Sequence, residues 1–258
     1  MNNSELKEKL EAHYLNYRQK FSSKDPVWML HRFSDERDIE LVGLITAAYA
    51  YGAVDQINRF INELLLKTGN KPYEFTINFS KRKDKKHLEG LYYRFNSCFD
   101  IINMFISLNK ALVRSGSLKN LFLSHYESSQ TNIIPALGGF TDELNKNIIK
   151  TDNRYYHYLF SNPVNNSTCK RMNLFLRWMV RKDDIDTGLW SEIPTSKLIM
   201  PVDTHIARIS KKLDLVNRKS IDLKFALELT GRLKEFDPVD PVKYDFALCH
   251  IGIDKKDF

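Results

Sequence analysis

Two segments of the chain carry side chains whose types and spacing could do chemistry. The first is NSTCKRMNLFLRWMVRK, residues 166–182. Met172, Phe175, Leu176 and Met179 recur at helical spacing and form an apolar face, and Lys170, Asn173, Arg177 and Arg181 fall together on the opposite side. Asn166, Ser167 or Thr168 can cap the helix start. Lys170 then lies in the first turn, at the positive end of the helix dipole, where an ammonium is disfavoured. It reads either as an amine meant for nucleophilic attack or as a phosphate-binding or merely solvated lysine. The second segment is MPVDTHIARISKKLDL, residues 200–215. Asp203 suits the N-cap of a helix from Thr204, with Ile206, Ile209 and Leu213 facing inward. A carboxylate fixed at a helix start is held rigidly for chemistry, although capping alone also accounts for it. His205 reads as a satisfied polar residue, and Arg208, Lys211 and Lys212 add positive charge.

The rest of the composition bounds what these residues could serve. A chain of 258 residues makes one large domain or two small ones. At 43% hydrophobic and 28% charged residues, disorder and collagen-like repeats are excluded. No apolar run approaches the roughly 20 residues of a membrane span, and the polar start MNNSELKEKL has no secretory character. Cys98, Cys169 and Cys249 are too far apart for a disulfide framework or a C-x-x-C metal site. A reducing cytoplasm is the expected compartment. The 39 Lys and Arg against 32 acidic residues give +7, which favours a polyanionic partner, nucleic acid ahead of membrane. Solubility alone also explains such a charge.

The elements that must position these residues read as helices throughout. Leu41, Leu44, Ile45 and Ala48 form one stripe and Ile57, Phe60, Ile61, Leu64 and Leu65 another, with a break at Gly52. KRKDKK at 81–86 is a charge run at or before a helix start, and 91–113 predicts one or two helices. Residues 128–141 have turn chemistry through Ser128, Ser129, Asn132, Pro135, Gly138 and Gly139. Residues 162–168 form a loop and 183–201 a connection. Helices follow at 204–213, 222–235 and 241–252. The expected architecture is an all-α array of about ten helices.

PVDTHIARI resembles the V-D-T-H-V/I-x-R-V segment of the helix-hairpin-helix DNA glycosylase superfamily, which includes endonuclease III and the adenine glycosylase. In that superfamily the Asp is the essential carboxylate, and a lysine on an upstream helix is the nucleophile of bifunctional members. Lys170 matches that lysine in order and helix context. The long interval from Lys170 to Asp203 is more similar to the archaeal 8-oxoguanine DNA glycosylases. IELVGLITAAYAYG, YRFNSCFD, CKRMNLFLRWMVRKDD, PVDTHIARI and KYDFALCHIGI also resemble an uncharacterised bacterial family common in Bacteroidetes, over about residues 38–253. The sequence departs from the superfamily at the hairpin: a glycine-rich loop is expected, and PVNNSTCKR has no glycine. Three scattered cysteines also cannot supply endonuclease III's iron–sulfur cluster.

The resemblance implies two helical subdomains with a cleft between them and a degenerate hairpin. Residues 39–199 would carry Lys170; residues 1–38 and 200–258 would carry Asp203. It implies a DNA glycosylase/AP lyase that excises an oxidised purine such as 8-oxoguanine through a lysine Schiff base, with no metal, cofactor or iron–sulfur cluster. The partner would be damaged double-stranded DNA, bound by a monomer. Asp245, Cys249, Tyr49, Tyr51 and Trp178 would line the pocket of the extruded base. Asn166, Ser167, Arg171, Arg177, Arg181, Arg208, Lys211 and Lys212 would contact phosphates. The alternative is a non-catalytic helical nucleic-acid-binding module on the same fold.

Overall fold

The computed structural model describes residues 2–17, 24–149, 153 and 156–254. Among these residues the protein is all-α: isolated bridges at Tyr93–Asn96 and Lys182–Thr187 occur, but no strand. In chain order the helices are α1 (Asn3–Tyr17), α2 (Glu36–Ala48), α3 (Val54–Lys67), α4 (Pro72–Ile77), α5 (Lys81–Asp84) and α6 (Cys98–Ser115). They continue as α7 (Leu118–Leu123), α8 (Ile134–Asn145), α9 (Lys170–Val180), α10 (Thr204–Lys212), α11 (Leu223–Lys234) and α12 (Asp245–Asp254). The chain divides into two compact units. One comprises 1–23, 130–134 and 163–258; the other comprises 24–129 and 135–162. Lys170 and Asp203 therefore belong to the same unit, whereas the sequence reading assigned them to different lobes.

In the 24–162 unit, both apolar stripes face the core. Leu41, Leu44, Ile45 and Ala48 are buried on α2, and Ile57, Phe60, Ile61, Leu64 and Leu65 on α3. The Asp35 side chain caps α2 by accepting from Arg37 N. Buried Glu40 reaches out of α2 to the start of α7, accepting from Leu118 N at 2.9 Å, so one carboxylate joins two helices. Ser97 and Asp100 form a capping box that starts α6. The turn expected over 128–141 is corrected in part, because α8 begins at Ile134 and runs through Gly138 and Gly139. Gly139 serves close packing: a Cβ there would lie 2.4 Å from His125 Nδ1.

In the 163–258 unit, α12 packs against both α1 and α10. Asp222 caps α11 by accepting from Phe225 N at 3.0 Å, as Asp203 does for α10. The predicted helices at 204–213 and 222–235 are present within a residue at each end. The last one starts later than expected, at Asp245, because DPVDPV at 237–242 occupies the connection before it.

Candidate functional site

The starts of α9 and α10 are tied together. Lys170 is the first residue of α9. Two residues before it, Thr168 Oγ1 donates to Val202 O at 3.2 Å, and Val202 immediately precedes the α10 cap. Asp203 Oδ1 accepts from His205 N at 2.8 Å and Ile206 N at 2.9 Å, so capping is confirmed and the carboxylate is fixed in place. Lys170 and Asp203 are both half-buried. The N-cap of α9 is Cys169, not Asn166, Ser167 or Thr168, and no side chain caps it. Ser167 Oγ instead accepts from Cys169 N at 3.1 Å, and Asn173 Nδ2 donates back to Thr168 O at 2.9 Å. Asn166 and Cys169 take left-handed backbone angles, φ 55° and 48°, conformations that glycine adopts most easily. The glycine-free loop thus makes two left-handed turns with non-glycine residues.

Asp245 is the first residue of α12, in the same unit as Lys170 and Asp203. It is 4% exposed, and its carboxyl is pushed up to about 6. Burial is the main cause. Arg177 opposes it, the Asp203 charge reinforces it and the Lys170 charge opposes it. The field of both predicted catalytic residues therefore reaches one buried carboxyl. Arg177 Nη1 is ion-paired with Asp245 Oδ2, and its Nη2 lies 3.2 Å from Asp186 Oδ1. Arg181 extends the network to Asp186, to Asp183 at 3.1 Å and to Asp240 at 2.9 Å. Two guanidiniums thus face four carboxylates. Burial holds Asp186 and Asp240 above the usual carboxylate range, aided by the neighbouring Asp183 and Asp237 charges respectively and opposed by the arginines. Asp183 goes the other way: burial raises it, but Arg181 and the backbone amides of Asp186 and Ile185 outweigh that.

The family model described as a protein of unknown function, DUF2400, matches residues 25–254. The chain belongs to the DUF2400 family. No curated protein and no solved structure matches it. The DUF2400 match spans every residue of the Lys170, Asp203 and Asp245 cluster. Among the described residues of this DUF2400 protein, no group of three His, Cys, Asp or Glu side chains could hold a metal ion.

The remaining predicted residues separate clearly. Arg177 and Arg181 are corrected: at 3% and 4% exposure they are buried and ion-paired, so they do not face a phosphate backbone. A helix face opposite an apolar stripe looks solvent-facing in sequence, but here it packs against acidic connections of the same unit. Arg208, Lys211 and Lys212 are exposed and Arg171 is half-exposed. Asn166 is exposed and Ser167 half-buried beside the α9 start. Trp178 is corrected as a stacking surface, because it is 1% exposed within the core. Asp245 is corrected as a base contact, because it is buried and ion-paired with Arg177. Cys249 is half-buried one turn further along α12. Tyr49 and Tyr51 belong to the other unit. Tyr49 is fully buried against Phe60 and Tyr93, and Tyr51 hydroxyl donates to Asn96 Oδ1 at 2.9 Å. Sequence reasoning missed Asp183, Asp186 and Asp240. Asp183 and Asp186 had one signal, an acidic run directly after two arginines on one helix face; Asp240, far along the chain, had none.

Proposed function

We propose that this protein is a DNA glycosylase/AP lyase acting on an oxidised purine such as 8-oxoguanine in double-stranded DNA. The observation that carries the reading is the joining of the α9 and α10 starts by Thr168 and Val202, which sets the Lys170 amine at one helix start and the cap-fixed Asp203 carboxylate at the other. Simple binding of a polyanion needs no such carboxylate. In this mechanism the unprotonated Lys170 amine attacks C1′ of a nucleotide flipped from the stack. The N–C1′ bond to lysine forms as the glycosidic bond breaks, and the base leaves with the bonding pair and takes a proton. Asp203 stabilises positive charge on the sugar during that step. Ring opening gives the imine; loss of a C2′ proton then expels the 3′ phosphate.

The test is borohydride trapping on duplexes that contain an abasic site or 8-oxoguanine. The wild-type protein should form a covalent adduct, and Lys170→Ala should abolish it while duplex affinity stays within about twofold. An adduct undiminished in that variant would move the nucleophile elsewhere, with Lys182 or Lys197 next. Duplex binding with no adduct on any lesion would favour the non-catalytic nucleic-acid-binding module.

A further inference from the structure

The 24–162 unit carries a second feature with a defined chemistry, independent of the Lys170 cluster. A pocket of about 310 Å³ opens between α3 and residues 92–94, lined by Arg59, Phe60, Glu63, Tyr92, Tyr93 and Arg94. That volume is at the lower end for small-ligand sites. Its floor is aromatic and rigid. The Phe60 and Tyr93 rings lie 4.9 Å apart at 36°, and Tyr49 meets Tyr93 edge-on behind them. Tyr93 is pinned by its hydroxyl, which donates to Tyr51 O at 2.5 Å, and by paired backbone bonds with Asn96. This tight turn throws its middle residues outward, with Arg94 at φ 54°.

At the rim Tyr92 is 74% exposed, and the chain that follows exposes two more rings, Phe95 at 48% and Phe99, in the first turn of α6, at 42%. The Arg94 guanidinium lies 5.7 Å from the Tyr51 ring centroid and 5.6 Å from that of Phe95. Gly52, at φ 100°, makes room for it: a Cβ there would fall 2.6 Å from Arg94 Nη1. The same stretch of chain is strongly basic, with six Lys and Arg against two acidic residues over 81–99. Lys81 Nζ lies 5.7 Å from the Phe99 ring centroid, so the basic run adjoins the aromatic surface. Exposed rings interleaved with fixed cations are the composition that holds unpaired bases and their phosphates. A protein partner would not require this excess of positive charge. Duplex DNA, with its bases stacked inside, would leave the rings unused.

We propose that this pocket binds one base and the adjoining phosphate of a single-stranded nucleic acid. Tyr92 and Phe95 serve as stacking platforms, Arg59 and Arg94 take the phosphate, and the 81–86 run follows the flanking backbone. Glu63 offers the pocket an acceptor for a base amino group.

The experiment measures fluorescence anisotropy of a labelled ten-residue deoxyadenosine strand against the full chain at low salt. Tyr92→Ala should weaken binding about tenfold, whereas Tyr92→Phe should keep it; the ring is exposed, so neither change disturbs the core. Lys170→Ala should bind the strand like wild type, and Tyr92→Ala should still form the borohydride adduct if wild type does. The two readings therefore fail separately. Equal affinity of wild type and Tyr92→Ala, or no strand binding by wild type, overturns the proposal. Free deoxyadenosine monophosphate that competes as well as the strand, mole for mole, overturns its single-strand assignment.

Discussion

Arg177 on α9 and Asp245 on α12 form an ion pair whose side chains are only 3% and 5% exposed. A buried pair is costly to break from one side, since the remaining charge loses its partner. Arg177→Met should destabilise the protein by about 3–5 kcal/mol, read as a lower urea midpoint with unchanged slope. Adding Asp245→Leu should recover most of that loss. A double variant no more stable than the single one would mean that Asp186, not Asp245, is the partner that matters to Arg177.

The raised carboxyl of Asp245 makes stability depend on pH in a defined direction. The native protein keeps this proton up to about pH 6, whereas the unfolded carboxyl releases it near 3.8. The native state binds more protons between those values, so this contribution is present below pH 3.8 and is lost as pH rises through 6. Relative to Asp245→Asn, wild type should lose roughly 2–3 kcal/mol across that window. Thermal melts of both proteins at matched pH values measure it. Parallel curves would show that Asp245 titrates like an ordinary carboxyl.

Asp203 caps α10, and under the proposed mechanism it also acts on the sugar; one substitution separates the two roles. Asn caps a helix about as well as Asp, so Asp203→Asn should shift stability by less than about 0.5 kcal/mol, whereas Asp203→Ala should cost about 1 kcal/mol. Base excision should fall by orders of magnitude in both, because both lack the charge. Single-turnover assays beside denaturation curves distinguish the cap from the chemistry. Full excision by Asp203→Asn would remove Asp203 from the mechanism.

The burial of Arg177 and Arg181 changes the expected salt dependence of duplex binding. Of the predicted phosphate contacts, Arg208, Lys211 and Lys212 are exposed and Arg171 half-exposed; if these four meet the duplex, the slope of log affinity against log salt is about −3 to −4. Lys212→Ala should reduce its magnitude by about 1. Arg181→Ala should leave the slope alone and lower stability instead. A slope that responds to Arg181 and not to Lys212 would place the DNA on another face.

The helices around the site were legible where the signal was local. α10 announces itself through an Asp cap followed by Ile206 and Ile209 at helical spacing, both read within a dozen residues. α9 was legible as a helix, but not the environment of its polar face. The partners of Arg177 and Arg181 include Asp186, nine positions along from Arg177; Asp240, 59 from Arg181; and Asp245, 68 from Arg177. Only the tertiary fold brings the distant two to the helix, so a periodic pattern alone read two core cations as surface ones. Gly138 and Gly139 misled for a related reason. Glycine looks like a turn in sequence, and the crowding by His125 that requires Gly139 lies on another segment. The Lys170 and Asp203 candidates stood out through short-range context, while Asp245 acquires its altered acidity only from burial and neighbours far along the chain.

Cys169 is the N-cap of α9 directly before Lys170, fully buried, with its thiol pushed up to about 12 by burial. At neutral pH almost no thiolate forms there, and no reagent reaches the sulfur while the packing holds. The position is therefore a silent clock within the 163–258 unit. A thiol-directed dye added to folded protein should pass it over, and its labelling rate should follow the opening of the core around α9. That rate would report, without any engineered probe, how often the segment in front of Lys170 comes apart, and whether a bound nucleic acid slows it.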